Sequence, residues 1–185
     1  MRVNSAKQAT ELGFSFIHQD LNFVPGFNAI ENMALGNSLP RVGGIFVRWS
    51  ELRRQAKSVA DRMLIDFDLD SPVRELSQAQ RVMLAICRAL MLDSQLIVMD
   101  EPTAALSGQE VSQLYRLVKD LTRQGVAILY VSHRLEEVFD LADRVTVLKD
   151  GSKVGTYDIE ELVDTAHLTQ LIIGKTLEEM IGTHR

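Results

Sequence analysis

The chain has 185 residues, 46% of them hydrophobic, with one cysteine, a net charge of −5 and a pI of about 5.4. That length and apolar content suit a single domain with a real core, and the acidic balance argues against a nucleic-acid partner held through phosphate contacts. No apolar run approaches the ~18 residues of a membrane span, the polar first residues lack the apolar core of a signal peptide, and the lone Cys87 excludes an intrachain disulfide and fits a reducing compartment.

Residues 12–18 end in F-S-F-I-H and read as a short strand, with Gln19 and Asp20 directly after it. Pro25 and Gly26 make residues 22–28 a loop. Residues 28–35 suit a short helix stopped by Gly36, and Pro40, Gly43 and Gly44 make residues 39–47 another loop. Residues 50–67 read as an amphipathic helix with Leu52, Ala56, Val59, Ala60, Met63 and Leu64 on one side. Residues 77–92 form the next helix, opened by an S-x-x-Q capping box of Ser77 and Gln80. It is apolar almost all round, so it should be packed on several sides, with Cys87 a buried and inert thiol.

Residues 95–107 read Q-L-I-V-M-D-E-P-T-A-A-L-S. The unbroken run from Leu96 to Met99 suits a strand buried on both faces, as in a parallel sheet. Asp100 and Glu101 follow at once, and Pro102 removes a backbone donor and ends the ladder. Such a strand delivers two acids to the carboxyl edge of the sheet, where open α/β folds bind ligands. The chemistry suits phosphoryl transfer: Asp100 to hold Mg²⁺ through oxygen, Glu101 to orient or deprotonate an attacking water. A strand that merely ends in a solvated acidic turn is the alternative.

Ser107 and Glu110 make a second capping box, and Val111, Leu114, Val118 and Leu121 mark the buried face of a helix ending at Gly125. Residues 126–132 are a second apolar strand, leading to His133. A helix over 134–141, a strand over 144–148, an Asp150-Gly151 hairpin turn and a returning strand over 152–157 follow. Short helices are expected over 167–173 and 176–181, the second with a Thr176/Glu179 capping box. Three strands thus end in polar groups: Gln19, Asp100 with Glu101, and His133. Singly, Gln19 reads equally as a loop amide and His133 as a helix cap; together they point to a nucleotide site.

The ordered words F-I-H-Q-D (16–20), L-S-Q-A-Q-R (76–81), L-I-V-M-D-E-P-T-A-A-L-S (96–107) and V-S-H-R-L-E-E-V (131–138) resemble the nucleotide-binding domain of an ABC transporter over nearly the whole chain. The flanking words I-H-Q-D-L-N-F-V-P, I-E-N-M-A-L-G and A-D-R-V-T-V-L-K-D-G are most similar to the ATPases of bacterial carbohydrate importers of the ribose and galactose type. The resemblance implies ATP as substrate with Mg²⁺ as cofactor. It makes Gln19 the Q-loop glutamine, which touches Mg²⁺ and the attacking water and links the site to membrane subunits. It makes Asp100 the Mg²⁺-binding aspartate, Glu101 the catalytic glutamate, residues 104–107 the D-loop and His133 the switch histidine on the γ-phosphate. Ser77, Gln78, Ala79 and Gln80 match the signature motif, which contacts ATP held by a second cassette in a head-to-tail dimer. Integral membrane permease subunits would be the other partners, at the cytoplasmic face of the cell membrane.

Two departures stand out. The family signature is L-S-G-G-Q, where glycine lets backbone amides approach phosphate; here Gln78 and Ala79 bring side chains into that space, and the Ser77 capping box is an equally good reading of that serine. No G-x-x-x-x-G-K-[ST] phosphate loop occurs in the sequence. Gly174-Lys175-Thr176 resembles its end, but position 169 is threonine and the run H-L-T-Q-L-I-I suits a helix. The implied fold is α/β: an incomplete parallel core sheet, a helical insert over 28–92, a core stretch over 93–149, and a C-terminal hairpin with short helices over 150–185, preceded by the Q-loop region at 12–27. The implied function is ATP hydrolysis driving sugar import through a permease. The rivals are a degenerate cassette that binds partners without nucleotide, and the ATPase head of a chromosome-maintenance protein, which needs long heptad arms that the sequence lacks.

Overall fold

A computed structural model describes residues 3–37, 39–42 and 46–173. It opens with α1 (Ala6–Glu11), capped by the Ser5 hydroxyl, which accepts from Gln8 N–H. This helix was not expected from the sequence, because its residues are mostly polar, although Ser5 and Gln8 carry the S-x-x-Q spacing of a helix start. Gly13 ends the turn after it with φ at +75°, and a Cβ there would sit 3.3 Å from Gln95 atoms, so glycine lets the chain pass close to the start of a neighbouring strand. β1 (Phe14–Ile17) follows. α2 (Ala29–Ala34) starts at an Asn28/Glu31 capping box. β2 (Arg41–Val42) and β3 (Phe46–Val47) form a two-stranded antiparallel ribbon where a plain loop was expected.

α3 (Trp49–Arg62) stops short of the expected residue 67. Leu64 takes φ at +52°, and Ile65 N–H donates back to Ala60 C=O at 3.0 Å, a left-handed closure that diverts the last carbonyls. Leu64 is accordingly 87% exposed rather than part of the buried stripe, whereas Leu52, Ala56, Ala60 and Met63 are buried as expected. A 3₁₀ turn at Val73–Glu75 leads to α4 (Gln78–Met91), whose Ser77/Gln80 capping box forms as the sequence suggests. α2, α3 and α4 pack on one another, with Met33, Leu52, Leu84 and Ile86 fully buried. Cys87 lies in this core, and burial pushes its thiol up to about 12. Its favourable contribution is intact below the unfolded thiol's 9.0 and is lost as pH climbs towards 12. A thiol reagent at pH 8 should therefore leave the folded chain unmodified and label Cys87 only in denaturant; rapid labelling under native conditions would contradict the burial.

β4 (Leu96–Asp100) leads into α5 (Gly108–Arg123), capped by Ser107 and Glu110, and then β5 (Ala127–Val131). β1, β4 and β5 form one parallel sheet in the order β1-β4-β5. The expectation that β4 is buried on both faces does not hold. Ser15 and Ile17 of β1 and Ile97 and Met99 of β4 are buried on one face, while Phe16, Leu129 and Val131 on the other are 47%, 54% and 46% exposed. An unbroken apolar run is compatible with either arrangement, because the period of two is invisible when every residue is apolar. On the packed side the Ser15 hydroxyl lies 2.6 Å from that of Ser94, which donates to Ala89 C=O at 2.7 Å and ties β1 to the end of α4.

The chain divides into two compact units, one running up to Val131 and one from Ser132 on. The second contains α6 (Leu135–Leu141), β6 (Arg144–Lys149), β7 (Ser152–Asp158), a 3₁₀ turn at Ile159–Glu161 and α7 (Thr165–Ile173). β6 and β7 form the expected hairpin, and its Asp150-Gly151 turn has both φ values positive, at 48° and 74°, as a two-residue hairpin turn requires. Val147, Leu162 and Leu168 make its core, lined by Leu135, Val138 and Phe139. The run H-L-T-Q-L-I-I before Gly174-Lys175-Thr176 is helical, as part of α7; residues 174–176 and the helix expected over 176–181 lie outside the described residues. No helix among the described residues is long and apolar enough to cross a membrane.

Candidate functional site

Parallel strands put their carboxyl ends on one edge. Ile17 pairs in register with Met99, which pairs with Tyr130, and Asp100 pairs with Val131. Neighbouring strands lie ~4.8 Å apart, so Gln19, two residues beyond β1, shares an edge with Asp100 and Glu101. Gln19 and Asp100 are exposed and Glu101 is partly so. Asp100 closes the ladder on β4; Glu101 leaves it with φ at +47°. For a residue with a Cβ that conformation costs roughly 1–2 kcal/mol. It is held by Glu101 N–H donating to Val131 C=O at 3.0 Å and by Ala104 N–H donating to Glu101 C=O at 3.3 Å. The turn is anchored below by Pro102 and Thr103, both buried. Strain of this kind is retained where the surroundings enforce it, and it collects at functional positions.

Two oxygen donors, the Asp100 carboxylate and the Gln19 amide, occur at adjacent strand ends. That donor set fits a hard divalent cation that keeps most of its waters and takes phosphate oxygens, and it does not amount to an all-protein cage. Among the described residues no group of three or more His, Cys, Asp or Glu side chains is placed to hold a metal.

The loop after Gln19 is shaped from two sides. Asn32, fully buried in α2, accepts from Val24 N–H at 2.8 Å through Oδ1 and donates through Nδ2 to Val24, Phe27 and Asn28 carbonyls at 3.1, 3.2 and 3.0 Å. From α4, the Arg88 guanidinium lies 5.1 Å over the Phe23 ring and donates to Leu21 C=O at 3.4 Å. Burial lowers the pKa of Arg88, and the aromatic face beneath it partly offsets the lost water. Phe23 is thus occupied within the fold, while Val24 and Phe27 remain 38% and 41% exposed. Between this loop and the start of α4 lies a cleft of ≈ 310 Å³ lined by Gln19, Phe23, Pro25, Arg74, Gln78 and Arg81 among others.

At the start of α4 the Ser77 hydroxyl accepts from Gln80 N–H at 3.2 Å, and the Gln80 amide oxygen accepts from Ser77 N–H at 2.9 Å. Ser77 and Gln78 are exposed and Ala79 and Gln80 half-buried. Gln19 and Gln78 therefore line one cleft, while Ser77 and Gln80 cap one helix. His133 belongs to the second unit, exposed in the turn before α6. Arg88, Asn32 and Glu137 escaped the sequence reading. The signal for Asn32 and Glu137 was a polar residue at a core position of a short helix; for Arg88 it was a cation in a helix otherwise apolar all round.

The chain belongs to the ABC transporter family: the family profile matches residues 2–104, more than half of its length. Among curated relatives it is similar to the ribose import ATP-binding protein RbsA 2 of Rubrobacter xylanophilus, at 38% identity over 98% of this chain and 35% of the relative. It is also similar to the arabinose import ATP-binding protein AraG of Vibrio parahaemolyticus, at 40% identity over 96% of this chain and 35% of the relative. The chain thus spans about a third of the length of the curated relatives it matches. The fold is that of solved ATP-binding cassettes. A nucleotide-free cassette from an ABC transporter superposes with a TM-score of 0.75, at 20% identity over 98% of this chain and 73% of that one. A dimeric post-hydrolysis cassette bound to ADP and Pi gives 0.69 at 22% identity over 85% and 68%.

Proposed function

We propose that these residues form part of the ATP-hydrolysing subunit of an ABC importer for a sugar, working with a membrane permease at the cytoplasmic face of the cell membrane. The observation that carries the proposal is the single sheet edge bearing Gln19, Asp100 and Glu101, with Glu101 held in a strained conformation. The names of the ribose and arabinose import relatives support the sugar class.

In this reading Asp100 and Gln19 hold Mg²⁺, which neutralises phosphate charge when bound. Glu101 orients the attacking water and takes its proton. His133 contacts the γ-phosphate. Ser77, Gln78, Ala79 and Gln80 face ATP held by a second cassette in a head-to-tail dimer, an assembly in keeping with the dimeric cassette of the same fold. The division of the chain into a Q-loop region, a helical subdomain, a core stretch and a C-terminal hairpin region is part of the same proposal.

The permease would dock on the loop after Gln19. Val24 and Phe27 offer apolar surface beside a cleft wide enough for an inserted side chain. Because Arg88 and Asn32 hold this loop to α4 and α2, a push on it is transmitted to the helix that carries the signature residues. Cysteines placed at Val24 or Phe27 in the membrane-assembled protein should crosslink to the permease. Crosslinks confined to other soluble domains would count against the proposal.

A further inference from the structure

We infer that Glu137 is a positioning residue for His133, acting through the residues on either side of it; the inference rests on the reading of His133 as the phosphate-contacting histidine. The Glu137 side chain is 1% exposed on α6. Its Oε2 accepts from Ser132 Oγ at 2.8 Å, and its Oε1 lies 3.2 Å from Arg134 Nη1. Ser132 Oγ in turn accepts from Arg134 N–H at 2.9 Å, and Arg134 C=O accepts from Glu137 N–H at 3.1 Å. One buried carboxylate therefore grips both neighbours of His133, one with each oxygen, while the imidazole itself stays exposed.

Packing does not call for an acid here. A buried carboxylate is unfavourable unless it is paired and hydrogen-bonded, and an aliphatic side chain would fill the same side of α6 at lower cost. What the carboxylate supplies is direction. Because it accepts only, it orients the Ser132 hydroxyl proton towards itself, which turns the serine lone pairs to the Arg134 amide. The backbone on both sides of His133 is then fixed by contacts to its neighbours, while His133 stays exposed. A group that must meet a phosphate oxygen needs that kind of support from neighbouring hydrogen bonds.

The test is made on the 185-residue chain by nuclear magnetic resonance, without nucleotide. In Glu137→Ala the His133 amide order parameter should fall from a rigid value of about 0.85 to below about 0.6. The Arg134 amide should exchange at least about tenfold faster with solvent, while the amides of the β6–β7 hairpin stay as they were. Glu137→Gln, which keeps the shape and one acceptor, should restore much of the His133 order. Ser132→Ala cuts only the serine arm and should speed exchange at Arg134 with the carboxylate still in place. Wild-type order at His133 and wild-type exchange at Arg134 in Glu137→Ala would overturn the inference; should Glu137→Ala fail to fold, Glu137→Leu, which keeps the packing of α6 and removes both acceptors, is read in its place with the same two outcomes. Since no nucleotide enters the measurement, its failure is separate from a failure of the ATPase reading, which would show in hydrolysis.

Discussion

Titrated with Mg-ATP in a calorimeter, the purified 185-residue chain should show no micromolar binding and no measurable ATPase. A phosphate cradle normally supplies backbone amides, a helix N-terminus and a lysine to the β- and γ-phosphates, and the sequence contains no G-x-x-x-x-G-K-[ST]. The groups on the candidate edge do not replace it. Asp100 and Glu101 are acids, which repel a polyanion until a cation intervenes. At the start of α4 the amides of Ser77 and Gln80 are taken by the capping box, and in the proposed dimer this helix faces the partner cassette's nucleotide. What remains should give at best a millimolar constant, on the order of −4 kcal/mol. A micromolar constant would mean that another element binds phosphate, with Gly174-Lys175-Thr176 the first place to look.

In a form of the protein that carries a phosphate loop, Glu101→Gln should keep nucleotide binding and lower turnover by about 10²–10⁴-fold. Glutamine fills the same volume and can keep the left-handed backbone with its bond to Val131 C=O. It cannot accept the proton of the attacking water. Turnover by the variant at the wild-type rate would remove Glu101 from the role of base. Glu101→Gly is the informative companion, since glycine relieves the strain at this position and removes the carboxylate together. If the two variants lose the same rate, the loss belongs to the carboxylate and not to the shape of the turn.

The strands that build the edge were legible because chemistry and punctuation coincide. Leu96 to Met99 is an apolar run that stops at two acids and a proline, and β4 stops there too. α4 and α5 were legible from their capping boxes, since Ser77 with Gln80 and Ser107 with Glu110 each satisfy two helix amides that nothing else would. The shared edge of Gln19, Asp100 and Glu101 was legible because parallel strands leave no other placement for residues at their carboxyl ends. The end of α3 was not legible. Met63 and Leu64 continue the apolar spacing, and only the backbone closure at Leu64 shows that the helix has stopped. Nor were the contacts of Arg88 with Phe23, 65 positions away by number, or of Glu137 with Ser132, because they depend on which side of a helix meets a loop. Sequence spacing carries periodicity within an element and says little about polar contacts between elements.

The two-sided character of the small sheet has a practical meaning for anyone mutating this protein. Along β1, β4 and β5, odd and even neighbours answer to different selections. A polar residue at Phe16, Leu129 or Val131 replaces apolar surface that already meets water, so it should raise yield and lower aggregation at little thermodynamic cost. The same change one step along, at Ile17, Ile97 or Met99, removes a core contact and should abolish folding. A solubility screen and a stability screen on these strands would therefore return nearly complementary lists of tolerated positions, interleaved residue by residue. Neither list would report on the acids at the end of β4.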